Sequence, residues 1–202
     1  AGAIPKVKLT DGLIPLLIEG DAYAGRPNPH AWMSPEKALY YVDKIVDAFI
    51  KIDPDGEVEF RSNASTYKAK LESLDKELRD SLSSIPKERR FLVSCEGAFS
   101  YLASDYGMKE GYLWPVNAES QVTPKRMVNL IEMIKKNDVP TIFCESTVSS
   151  EAQLEVAKSS GAAFGGTFYV DSLSGPDGPA PTYIELLRHN VRLITDGLTL
   201  KK

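Results

Sequence analysis

Two histidines, two cysteines and a few well-placed acids carry the chemistry open to this chain. His30 stands in Asn28-Pro29-His30-Ala31-Trp32, an irregular segment just before a helix start. Imidazole is the commonest neutral metal ligand, and a histidine held there suits a ligand or a capping role. His189 lies in Leu186-Leu187-Arg188-His189-Asn190 with no acid or histidine at i+4, so it reads as an ordinary helix residue. Glu96, Glu145 and Asp171 each follow a short apolar run of strand type. In an open parallel sheet, ligands bind outside the carboxyl ends of the strands, which puts all three acids along one edge. One acid there is commonly a helix cap. Three together, in an acidic chain, point to a cation.

Cys95 and Cys144 end two of those runs, 144 − 95 = 49 residues apart. If the two strands are neighbours, the cysteines fall within disulfide reach. That bond would add about 4 kcal/mol in the chain-entropy model and would indicate an oxidising compartment. If they are not neighbours, both are buried thiols. Apolar surroundings raise a thiol pKa, so neither suits a nucleophile.

The elements that would position these residues can be read from pattern. Residues 1–29 are short apolar runs broken by Gly and Pro, without a leading strand–helix unit. Ser34-Pro35-Glu36 starts a helix, with Ala38, Val42, Ile45, Val46 and Phe49 on one face. Asp53-Pro54 ends it and starts another. In that second helix Phe60, Tyr67 and Leu74, and Ala64, Leu71, Leu78 and Ile85, form a core-facing stripe that ends before Pro86. Strands follow at Phe91–Cys95, Tyr112–Trp114, Thr141–Cys144 and Phe164–Val170. They alternate with helices over 99–106, from Thr123-Pro124, over 150–160 and over 182–197. The fold class is α/β: a parallel sheet flanked by helices, preceded by a long helix.

Composition excludes several functions. The chain has 202 residues, 43% hydrophobic and 26% charged, with a net charge of 24 − 28 = −4. That is a globular composition with no basic stripe for a phosphate backbone, so no nucleic-acid partner is expected. No apolar stretch is long enough to span a membrane. The opening Ala1-Gly2-Ala3-Ile4-Pro5 has neither the charged nor the apolar region of a signal peptide, as in a cytosolic protein, a mature secreted one or a fragment. Dinucleotide, P-loop, nucleophile-elbow, zincin and CxxC motifs are absent. Trp32 and Trp114 read as packing residues.

Asn28-Pro29-His30-Ala31-Trp32-Met33-Ser34-Pro35 resembles the [D/N]PHxW motif of the metal-receptor solute-binding proteins, cluster A-I, of bacterial ABC transporters. Ser94-Cys95-Glu96-Gly97-Ala98-Phe99 with Tyr106-Gly107, the capped helix start 118–124, Phe143-Cys144-Glu145-Ser146 and Val170-Asp171-Ser172-Leu173 resemble further segments of that family, in order. The resemblance runs from about Pro27 to Leu198. It implies two α/β lobes joined by a rigid helix, with the metal between them. Carried over by position, His30, Glu96 and Asp171 are ligands, and Glu145 stands behind them or on the permease-facing surface. The family's first ligand histidine has no counterpart here. Residues 1–30 then correspond to the tail of the first lobe, 31–86 to the linking helices and 87–202 to the C-terminal metal-binding lobe.

The implied function is capture of a divalent metal and delivery to an ABC transporter permease, without enzymatic activity. The expected setting is the periplasm or the outer face of the membrane, and the expected state a monomer. Two carboxylates with one or two imidazoles suit Mn²⁺, although intrinsic affinity favours Zn²⁺. A metal-dependent hydrolase and a surface adhesin are the alternatives.

Overall fold

The computed structural model describes residues 5–19, 23–116 and 122–199. Ser34 caps helix α1 (Pro35–Ile52): its side chain accepts from the Lys37 amide, and Pro35 occupies the first turn. A 3-10 turn, Pro54–Gly56, joins α1 to α2 (Glu57–Ser83). The two helices pack along each other. Helix α2 stops earlier than its apolar pattern predicts. Arg90 donates to the carbonyls of Ile85 and Ser83 at 3.0 and 3.1 Å, which satisfies the chain's exit from the helix. The stripe is also only half used. Of its members Leu71, Leu74, Leu78 and Ile85 are buried, whereas Tyr67 is exposed. Helix α2 packs against both α1 and α6.

The α/β part contains strands β1 (Phe91–Glu96), β2 (Lys109–Trp114), β3 (Thr141–Glu145) and β4 (Ala163–Phe168). Helices α3 (Ser100–Asp105), α4 (Pro124–Lys136), α5 (Glu151–Ser160) and α6 (Tyr183–Thr199) complete it. Thr123 caps α4 by accepting from Arg126 N; of the expected helix start at 118–124, residues 118–121 lie outside the described ones. Among the described residues no helix is long and apolar enough to cross a membrane.

The strands are parallel, as expected, but they pair as two ladders, β1 with β2 and β3 with β4. Strands β1 and β3 lie side by side, giving the spatial order β2-β1-β3-β4. Side-chain alternation divides the core in two. Leu92 and Phe143 face a cluster with Leu74, Phe99 and Leu187, whereas Val93, Cys95, Ile142 and Cys144 face one with Leu130, Ile134 and Val156. Helices therefore cover both faces.

At the β1–β3 seam Cys95 and Cys144 form a disulfide, with Cα atoms 4.9 Å apart. This settles the choice that the sequence left open. The separation is that of adjacent strands, so the bond spans the seam without drawing the backbone out of place. Beyond β4, α6 comes close enough that a Cβ on Gly197 would lie 2.8 Å from the Thr141 and Phe143 side chains. Thr141 Oγ1 uses that approach to donate to Gly197 O at 2.7 Å.

The disulfide closes a loop of 49 residues across the two ladders. Cys95→Ser/Cys144→Ser is expected to lose about 4 kcal/mol of stability. A lowered urea midpoint is the expected outcome, with an m-value that does not fall, since the unfolded chain is released to expose more surface; a midpoint equal to wild type would show that the bond constrains nothing the fold does not already fix.

Candidate metal centre

The sheet order places β1 and β3 next to each other although β2 intervenes in sequence. Their carboxyl ends form the switch point where ligands of open α/β sheets bind. Glu96 ends β1 and Glu145 ends β3, and both side chains are buried.

His30 reaches this point from outside the sheet. Pro29 precedes it and a 3-10 turn, Ala31–Met33, follows. An antiparallel bridge between Leu17 and Pro27 steadies the approach, and Asn28 N donates to Leu16 O at 2.8 Å. Tyr101 Oη donates to Asn28 O at 2.9 Å and accepts from Leu16 N at 3.1 Å. The Asn28 side chain then joins His30 to β1. Its Nδ2 donates to Gly97 O at 2.8 Å, and its Oδ1 accepts from His30 N at 3.0 Å and His30 Nδ1 at 2.9 Å. A carbonyl only accepts, so Gly97 fixes which end of the amide is NH₂. The network thereby assigns the proton of His30 to Nδ1 and leaves a lone pair on Nε2.

His30 Nε2 lies 3.5 Å from Glu96 Oε1. Residue His30 is 2% exposed and Glu96 3%. Burial lowers the His30 pKa to about 4, so the ring is neutral over the physiological range. Asp171 joins from the exposed side, and one donor atom from each of the three residues lies within 4.8 Å of the other two. Burial raises the Asp171 carboxyl from its ordinary value. A neutral nitrogen and two carboxylate oxygens at that spacing fit a divalent cation.

Asp171 lies three positions beyond the end of β4, which stops at Phe168 and not at Val170. Asn190 on α6 takes over from the ladder: Oδ1 accepts from Tyr169 N at 3.0 Å and Nδ2 donates to Tyr169 O at 2.6 Å. Trp32 Nε1 donates to Val170 O at 3.4 Å, and Tyr183 Oη donates to Trp32 O. Trp32 thus ties the His30 turn to the Asp171 turn, a positioning role beyond the packing expected of it.

Glu145 is 3% exposed, which excludes the surface placement entertained for it. Its carboxylate oxygens each lie 3.3 Å from Glu96 N. Burial, opposed by backbone hydrogen bonds and aided by the Glu96 charge, pushes Glu145 up to about 8. Cys95, Cys144 and Glu145 also lie within 4.8 Å of one another, but the disulfide leaves no thiolate to ligate. His189 is remote in role, with Nε2 3.0 Å from Thr167 O. The sequence reading missed Asn28, Trp32 and Asn190 as positioning groups. The first two stand within the quoted motif; nothing local marks the third.

The chain matches, over residues 1–197, the family model described as zinc-uptake complex component A, periplasmic. It belongs to that family. It is 48% identical over 194 residues to the iron-binding protein YfeA of Yersinia pestis, covering 96% of this chain and 62% of the relative. It is 30% identical over 189 residues to the manganese ABC transporter substrate-binding lipoprotein PsaA of Streptococcus pneumoniae, covering 94% of this chain and 61% of the relative. The structure of the Mn-bound periplasmic metal binding protein from Candidatus Liberibacter asiaticus superposes with a TM-score of 0.87 at 38% identity, covering 95% of this chain and 70% of that one. The chain therefore spans about three fifths of the length of the curated relatives it matches. Those relatives are described as binding proteins and not as enzymes.

His30 supplies a stability prediction with a definite sign. Its folded pKa of about 4 lies below the unfolded value, so the unfolded chain takes up this proton first as pH falls. Stability is complete above about pH 6.5 and declines toward about pH 4, by roughly 3 kcal/mol from this residue. Urea titrations of wild type and His30→Gln across that window are expected to differ in slope by this amount; parallel curves would contradict a buried neutral ring.

Proposed function

We propose that the protein binds a divalent metal ion through His30 Nε2 and the carboxylates of Glu96 and Asp171, and passes it to the membrane permease of an ABC transporter. The convergence of these three side chains within 4.8 Å carries the reading. The metal is cargo, and no covalent chemistry on it is required. The setting is the periplasm or the outer face of the membrane, consistent with the disulfide.

Mn²⁺ is the proposed physiological cargo. One imidazole and two carboxylates form an oxygen-rich set, which suits a harder ion than the nitrogen- and sulfur-rich sites typical of zinc. Zn²⁺ still binds more tightly in isolation, because intrinsic affinity rises along the first-row series from Mn²⁺. In the proposed arrangement residues 1–30 are the tail of a first lobe, 31–86 the linking helices and 87–202 the lobe that carries Glu96 and Asp171. A continuous helix is a stiffer joint than a loop, so release would depend on ligand displacement at the permease more than on wide opening.

Calorimetric titration of the chain with Mn²⁺ and with Zn²⁺, beside the variant His30→Ala/Glu96→Ala/Asp171→Ala, tests the reading. One ion per chain is expected, with Zn²⁺ the tighter and both lost in the folded variant. Binding that survives the triple substitution would place the cargo elsewhere and overturn the assignment.

A further inference from the structure

Asn28 does more than join His30 to Gly97. Its Nδ2 also donates to Ser100 Oγ at 3.1 Å. Ser100 Oγ in turn lies 2.6 Å from Glu110 Oε2 and 3.4 Å from Gly97 O. The other oxygen of Glu110 accepts from Phe99 N at 3.1 Å. Glu110 stands on β2, opposite Leu92 of β1, and takes no part in the three-residue metal cluster. A line of hydrogen bonds therefore runs from Glu110 through Ser100 and Asn28 to His30 Nδ1.

We infer that Glu110 is a positioning residue for the metal centre, acting through Ser100 and Asn28 on the imidazole of His30. The inference rests on the proposed role of His30 as a ligand.

The polarity of the line follows from donor and acceptor capacity. An ionised carboxylate only accepts, so the Ser100 hydroxyl hydrogen is committed to Glu110. The Ser100 oxygen is then free to accept from Asn28, and Gly97 O is left to the Asn28 amide. Asn28 Oδ1 consequently faces His30 Nδ1–H, and Nε2 keeps its lone pair toward the metal. A proton on Glu110 changes the assignment. Glu110 donates to Ser100, and the Ser100 hydrogen turns to Gly97 O, where it competes with Asn28. The acceptor of His30 Nδ1–H loosens, and the ring loses both orientation and basicity, the two properties that outer hydrogen bonds confer on a ligating histidine.

Glu110 is placed to make this change near neutral pH. Burial pushes it up to about 7 against the opposing bonds from Ser100 and Phe99 N. Its electrostatic surroundings are mixed. Glu19 of the N-terminal segment and Tyr112 of β2 share one flanking cavity with it. Lys109 of β2, with Glu132 and Lys136 of α4, share the cavity on its other side. Strand β1 contributes Phe91 there, and α3 contributes Ser100, Ala103 and Ser104 on the first side.

A purely structural role for Glu110, capping the first turn of α3 through Phe99 N, is the competing explanation. Nitrogen-15 spectra of the histidine rings in the metal-free chain separate the two, for wild type, Glu110→Gln and Ser100→Ala. In wild type the His30 Nδ1–H signals are expected to shift between about pH 6 and about pH 8, although His30 itself does not titrate there. In both variants they are expected to stay constant. Mn²⁺ titration supplies the second reading. Glu110→Gln should weaken binding by about 3–10-fold at about pH 8, the lower end for outer-shell changes, and match wild type near about pH 6. On the Ser100→Ala background the same substitution should add nothing.

Wild-type His30 signals that stay flat across this range would overturn the inference. So would Glu110→Gln lowering only the urea midpoint, or weakening Mn²⁺ equally with and without the Ser100 hydroxyl. Signals that follow Glu110 in a chain that takes up neither Mn²⁺ nor Zn²⁺ would support the line of bonds while refuting the receptor reading.

Discussion

Two parallel ladders meet at β1 and β3, and the site depends on what holds that seam. The Cys95–Cys144 disulfide crosses it, and beside it the Glu145 carboxylate lies against the Glu96 amide. Each cysteine immediately precedes one of the two glutamates. The covalent constraint is therefore transmitted through a single peptide unit to Glu96 on one strand and to Glu145 on the other. A seam free to spread would separate Glu96 from Glu145 before it disturbed either ladder.

The same seam imposes an electrostatic constraint. Glu96 and Glu145 are both removed from water close to each other, and like charges there oppose one another. Burial and the neighbouring Glu96 charge push Glu145 up to about 8, which favours its neutral form beside Glu96. His30 brings a neutral imidazole, and Asp171 approaches from the exposed side. The arrangement is short of positive charge where its lone pairs converge, and a divalent cation supplies it. Trp32 and Asn28 hold the otherwise irregular His30 segment against Val170 and Gly97, so the donor atoms are brought together by groups that are themselves fixed.

Much of this could be read from the residues. The strand runs ending at Cys95 and Cys144 are short, apolar and followed by acids, and alternation within them survives in the split core. Ser34-Pro35 announced α1 because capping is a local matter. What escaped the sequence was set at long range. The early end of β4 goes with the bonds of Asn190, a residue on the last helix, to Tyr169. The stripe on α2 has the right period along its whole length, yet Tyr67 is exposed while Leu71, Leu74 and Leu78 are buried, because periodicity reports which face is apolar and not whether a partner meets it. Glu145 looked like its neighbours on the sheet edge; its inward turn follows from β3 lying beside β1, which no local pattern encodes. Asn28 was visible in its motif, but its donor and acceptor ends are assigned only once Gly97 O is brought against it.

The most direct measurement is a crystal structure of the chain grown with Mn²⁺, with anomalous differences recorded at the manganese edge. The account predicts a single strong peak about 2 Å from His30 Nε2 and from carboxylate oxygens of Glu96 and Asp171. A peak away from these atoms, or well-ordered side chains converging on no peak at saturating metal, would contradict it.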